Sequence, residues 1–158
     1  MANVKVIEGE LVARGQRFAL VAARFNSLVV DRLVDGAVDA LVRHGVALAD
    51  IDLIRVPGAF ELPLALRRVA LSKRYDAVVA LGAVIKGDTS HFDFVAGECA
   101  SGVSRAMQDS GVPVAFAVLT TDTLEQALDR AGGKAGNKGA DCALAALEMA
   151  NLLKRLEG

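Results

Sequence analysis

Short apolar runs alternate along the chain with longer stretches in which apolar residues return every three or four positions. Four runs, Phe18 to Ala23, Asp52 to Val56, Ala77 to Val84 and Val114 to Leu119, are too continuous to leave one face in water. They predict the strands of a central sheet covered on both faces. Between the first two, Val30, Leu33, Val34, Ala37, Val38, Leu41 and Val42 recur at helical spacing, with Asn26 or Ser27 as the cap and Gly45 as the stop. A second helix is expected from about Pro63 to Lys73 and a third from near Ser90. A fourth opens at Thr123, whose spacing to Gln126 fits a capping box, and closes at Gly132 and Gly133; a fifth runs from near Asn137 to about Leu156. Strands and helices in alternation are the signature of β-α units around a parallel sheet, so the class is α/β. Residues 1–16 fit no such unit, because Val4, Val6 and Leu11 are interrupted by Gly9 and Gly15, and they read as an extended arm.

Composition narrows the picture. With 158 residues, 53% of them hydrophobic, the chain can bury one sizeable core, which predicts a single domain over 1–158. Its 18 basic and 19 acidic side chains nearly cancel, leaving no electrostatic footprint for nucleic acid or an anionic membrane. Near-zero net charge with a positive mean hydropathy implies apolar surface that oligomerisation would cover. Cys99 and Cys142 lie far apart with no C-x-x-C and no adjacent histidine, so they read as reduced, buried and inert, and no metal set is expected. No basic segment leads into an apolar leader and no apolar stretch reaches membrane-spanning length, which points to the cytoplasm.

Ligands of open α/β sheets bind outside the carboxyl ends of the strands. The segments there are Arg24-Phe25-Asn26, Pro57-Gly58-Ala59-Phe60-Glu61, Lys86-Gly87-Asp88-Thr89-Ser90-His91-Phe92 and Thr120-Thr121-Asp122. In the third, Ser90 three residues before Asp93 marks a helix start, and this puts Gly87 to Thr89 at a helix N-terminus, where free N–H groups and the dipole favour an anion such as phosphate. A glycine turn capped by serine is the plainer reading of the same residues. His91 falls in the first turn, where the dipole disfavours an imidazolium, so it is a candidate general acid/base as well as a candidate packing residue. His44, beside Gly45, reads instead as a surface partner for a helix C-terminus. Phe25, Phe60, Phe92 and Phe94 cluster near this edge in a chain that is only 4% aromatic; a heteroaromatic ring can stack on such faces, although phenylalanine is more often core. Glu61 can accept hydrogen bonds from ligand hydroxyls or complement a helix dipole. The glycine-rich stretch Ala131 to Gly139 matches neither a P-loop nor a dinucleotide fingerprint and reads as a tight basic turn between two helices, edged by Arg130 and Lys138. Those two cations can meet a phosphate, but one belonging to a neighbouring subunit if the site lies at the other edge of this one.

Taken in order, Arg24-Phe25-Asn26, Pro57-Gly58-Ala59-Phe60-Glu61, Gly87-Asp88-Thr89-Ser90-His91-Phe92-Asp93 and Gly133-Lys134-Ala135-Gly136-Asn137-Lys138-Gly139 resemble the motif set of lumazine synthases across essentially the whole chain. The resemblance implies a three-layer, flavodoxin-like α/β/α sandwich with a parallel four-stranded sheet, whose N-terminal arm adds a strand to a neighbouring subunit's sheet. It implies condensation of 5-amino-6-(D-ribitylamino)uracil with 3,4-dihydroxy-2-butanone 4-phosphate to 6,7-dimethyl-8-ribityllumazine, the penultimate step of riboflavin synthesis, with no cofactor. By the same resemblance Phe25 stacks on the ring, Ala59, Phe60 and Glu61 hold the uracil and ribityl chain, and Ala83, Val84 and Ile85 supply backbone contacts to the pyrimidine. Gly87, Asp88 and Thr89 bind phosphate, and His91 transfers protons. Phe116, Arg130 and Lys138 come from the neighbouring subunit of a pentamer, with Arg130 pairing the phosphate. Many members carry a small neutral residue where this chain has Asp88. The short turn ending at Gly139 resembles that of members forming sixty-subunit icosahedra, some of which would enclose riboflavin synthase. A flavin-binding module and a shell subunit with a decayed site are the rival readings.

Overall fold

The computed structural model describes residues 3–158; Met1 and Ala2 of the expected arm lie outside them. Strands β1 (Phe18–Ala23), β2 (Ile51–Val56), β3 (Ala77–Ile85) and β4 (Val114–Thr121) form one parallel sheet in the order β2-β1-β3-β4. Parallel neighbours need a crossover, and helices supply each one. Helices α1 (Ser27–Arg43) and α5 (Lys138–Glu157) cover one face; α2 (Leu62–Leu71) and α3 (His91–Ser110) cover the other. Alternation along β1 feeds both layers: Phe18, Leu20 and Ala22 enter the α1/α5 core, while Ala19, Val21 and Ala23 enter the α2/α3 core. All six are essentially inaccessible, as their unbroken apolar run requires. β2 departs from that expectation. The sheet order puts it at an edge, where Leu53 and Arg55 remain exposed.

Small residues let the helices approach. A Cβ at Gly139 would stand 2.0 Å from the Leu33 carbonyl oxygen, and one at Gly102 would stand 2.4 Å from the Pro63 ring, so α5 meets α1 and α3 meets α2 through glycine. Gly45, at φ +98, ends α1, and His44 Nδ1 donates to the Ala40 carbonyl at 2.7 Å, the C-terminal role read for it. Helix α4 (Leu124–Asp129) carries the full Thr123–Gln126 capping box but ends before the glycines, because residues 131–137 form a small antiparallel hairpin, β5 (Ala131–Gly133) with β6 (Gly136–Asn137), instead of a bare turn. At the amino edge of the sheet, the Arg17 and Arg74 guanidiniums stand over the Tyr75 ring, at 5.7 and 5.6 Å from its centre, and the Tyr75 hydroxyl donates to Asp52. That carboxylate raises the phenol above its ordinary value.

Residues 4–10 adopt neither helix nor strand, and the chain from Glu8 to Gln16 folds back on α5 of its own subunit. Gly9 presses so closely on α5 that a Cβ would meet the Glu148 carbonyl oxygen at 1.8 Å. Asn151 Nδ2 donates to the Glu10 and Val12 carbonyls at 2.6 and 3.0 Å, and Gln16 Nε2 donates to Asn151 Oδ1. Both buried amides are thereby satisfied, which ties residues 10–16 to α5. Val4, Val6 and Ile7 before it stay exposed.

Candidate functional site

The sheet order reverses between β1 and β3: the chain goes outward from β1 to β2, then returns across β1 to place β3 on its other side. Crevices open at the carboxyl ends of strands at such a switch point. A cleft of about 820 Å³ lies there. Its walls are the residues after β1 (Phe25, Asn26), those after β2 (Pro57 to Glu61), the end of β3 (Ala83 to Ile85) and the start of α3 (Gly87, Thr89, His91, Phe92, Phe94, Val95).

Three phenyl groups stand free at the cleft: Phe25 is 72%, Phe60 59% and Phe94 68% exposed. Phe92 turns partly into the α2/α3 core. Open aromatic faces over an apolar floor suit a flat ring, and Glu61 and His91 are the lining groups that can ionise. Gly58 keeps Glu61 close to Phe25, since a Cβ there would stand 3.3 Å from the Glu61 carboxylate and 3.9 Å from Phe25 Cβ.

The start of α3 differs from its expected form in one detail. Ser90 occupies the cap position without a side-chain bond; the Thr89 hydroxyl instead accepts the His91 N–H at 3.3 Å. Gly87 has open space beside it, leaving the approach to the helix N-terminus unobstructed. Asp88 is exposed and does not line the cleft, so its carboxylate need not oppose an anion bound there. Lys86 is likewise outside the lining, with its N–H bonded to the Thr121 carbonyl at 2.9 Å. Among the described residues the cleft is therefore lined by the start of α3 and by no lysine or arginine.

Arg130 and Lys138 lie in a second depression of about 510 Å³ along the free edge of β4, lined also by Phe116, Val118 to Thr121, Ala135 and Asp141. No lining residue is common to the two. The hairpin joins the two cations: the Lys138 N–H donates to the Arg130 carbonyl at 2.8 Å, and the Arg130 guanidinium donates to the Gln126 carbonyl at 3.0 Å. Asn137 anchors the hairpin, its amide donating to the Arg32 carbonyl on α1 and accepting the Ala140 N–H of α5. Cys142, held neutral by burial, donates its S–H to the Phe116 carbonyl at 3.3 Å. The structure thus gathers Phe25, Ala59, Phe60, Glu61, Ala83, Val84, Ile85, Gly87, Thr89 and His91 around one cleft, leaves Asp88 beside it, and sets Phe116, Arg130 and Lys138 apart. Sequence reasoning put Asn26 in a segment at the ligand edge of the sheet but gave its side chain no part in the site. Asn26 reads as a helix cap, yet its side chain makes no cap bond and instead donates to the Ala83 carbonyl at 2.8 Å.

Fold and cleft together define a flavodoxin-like α/β protein with an aromatic-walled cleft at its sheet switch point. A family described as 6,7-dimethyl-8-ribityllumazine synthase matches residues 15–154. A relative from Halorhodospira halophila bearing that name is 63% identical over 155 residues, covering 98% of this chain and 99% of its own. The chain belongs to the 6,7-dimethyl-8-ribityllumazine synthase family. No helix among the described residues is long and apolar enough to cross a membrane.

Proposed function

We propose that the protein condenses 5-amino-6-(D-ribitylamino)uracil with 3,4-dihydroxy-2-butanone 4-phosphate to give 6,7-dimethyl-8-ribityllumazine, phosphate and water in riboflavin biosynthesis. The observation that carries the site assignment is the separation of the aromatic, anion-ready cleft from the cations it lacks. In this reading the site is completed between subunits: the β4 edge of one, with Phe116, Arg130 and Lys138, closes the cleft of the next. Phe25 stacks on the pyrimidine, Ala83 to Ile85 present backbone groups to its edge, and Ala59, Phe60 and Glu61 hold the ribityl chain. The Gly87 to Thr89 N–H groups and the neighbour's Arg130 hold the phosphate. The uracil's amine attacks the ketone and a Schiff base forms with loss of one water; phosphate leaves, the resulting enol tautomerises to a carbonyl, and the side-chain amine closes the ring on that carbonyl with loss of a second water. His91 moves protons in these steps. Most of the acceleration comes from holding both reactants in register, with acid/base help of about 10²-fold or less.

A head-to-tail contact that closes gives a ring, and we assign a pentamer, with residues 3–7 pairing on a neighbour's exposed β2 edge. Assembly of pentamers into a sixty-subunit shell, enclosure of riboflavin synthase and a cytoplasmic location complete the proposal. Formation of lumazine from the two substrates, followed by absorbance and fluorescence, tests the reaction; a rate no faster than the spontaneous one refutes it. Light scattering tests the assembly, and a mass of only about five chains rejects the shell.

A further inference from the structure

In the reading above, Phe25 must offer a flat face to the ring substrate, yet little packs against it, and its placement falls to its backbone. That backbone is held on two sides. Beyond the end of β1, the N–H groups of Arg24 and Phe25 donate to the Val56 and Pro57 carbonyls at 2.8 and 3.0 Å, which carries the β1–β2 ladder past both strands. On the other side Asn26 reaches across the switch point, its amide donating to the Ala83 carbonyl at 2.8 Å. Asn26 has φ 63 and ψ 42, one of two non-glycine positive-φ residues among those described. Asparagine is one of the few side chains that tolerate this region. Its own carbonyl accepts the Val29 and Val30 N–H groups, both at 3.0 Å, so this one residue turns the chain, opens α1 and braces β3.

We infer that Asn26 is a positioning residue for the ring substrate: its left-handed turn aims the Phe25 ring, and its amide fixes the spacing between that ring and the Ala83 to Ile85 edge. The inference rests on the proposed function. Stacking and edge hydrogen bonding each have a narrow optimum, and both are met only if Phe25 and Ala83 keep their separation. The phosphate substrate is held elsewhere, by the start of α3 and the neighbouring subunit, and does not depend on this brace.

Two variants separate the brace from the turn. Asn26→Gly keeps the left-handed backbone and removes the amide; Asn26→Asp keeps the size and the backbone preference but sets an acceptor against the Ala83 carbonyl. In the assembled enzyme, N26G raises the KM for the ribitylamino-uracil about 5- to 10-fold, the loss expected for one hydrogen bond, and N26D raises it further. The KM for the butanone phosphate and the kcat at saturating uracil stay within about twofold. Wild-type-like uracil KM in both variants, or a parallel rise in both KM values, overturns the inference while leaving the enzyme assignment intact. Should N26G fail to assemble, N26D alone decides by the same split. A wild type that forms no lumazine overturns both readings.

Discussion

A site shared between subunits can be rebuilt from two damaged chains. Glu61→Ala/His91→Ala removes the ionisable groups of the cleft and leaves Arg130 untouched, whereas Arg130→Ala does the reverse. Loss of a charge-assisted hydrogen bond, to phosphate in Arg130→Ala and to the ribityl chain in Glu61→Ala, costs about 1.5–3 kcal/mol, and the cleft variant also loses the acid/base help of His91, so each homogeneous variant should retain at most about a tenth of the wild-type rate, and more typically about a hundredth. In a ring whose cleft meets the next subunit's β4 edge, a random one-to-one mixture pairs an intact cleft with an intact Arg130 at one half times one half, or about a quarter, of the contacts. Co-expression of two differently tagged chains, tandem purification and assay of lumazine formation should therefore give about a quarter of wild-type activity, well above either parent. A tandem-purified mixture that shows only the mean of the two parents would place Arg130 and His91 in separate functions and refute the shared site.

Three further outcomes follow from the geometry. His91→Ala should slow turnover by about 10- to 100-fold without abolishing it, because approximation of the substrates survives; complete loss in a folded oligomer would assign His91 a larger share. Gly139→Ala forces a methyl to within 2.0 Å of the Leu33 carbonyl oxygen. Separating α5 from α1 by the shortfall should cost about 1–3 kcal/mol in urea unfolding and displace Lys138, and an unchanged midpoint would contradict so close a helix contact. Burial pushes the Cys99 thiol up to about 11 from an ordinary 9.0. Because the folded chain holds that proton more tightly than the unfolded one, the contribution is complete below the unfolded value and is lost as pH rises from about 9 through 11. Unfolding of Cys99→Ala should show less of this alkaline loss than wild type, and an identical pH profile would remove Cys99 as its source.

The hydrophobic pattern determined the α/β class, the four strands to within a few residues and the ends of α1, because continuous apolar runs and 3.6-residue spacing are local properties that survive without knowledge of the fold. The motifs likewise marked most of the cleft, since Phe25, Phe60, Glu61 and His91 all follow strand ends, where a parallel sheet places its ligands. Tertiary structure alone decided the rest. β2 was exposed by its place in the strand order, which its own apolar content does not reveal. Residues 131–137 became a hairpin because Gly132 and Gly136 accept positive φ while Asn137 ties the segment to α1, a contact more than a hundred residues distant. Asn26 reads in sequence as an ordinary helix cap, and only the reversal of strand order brings Ala83 to its amide. The same reversal separates the cleft from Arg130 and Lys138, because spacing along a chain fixes local conformation but not which strand edges become neighbours.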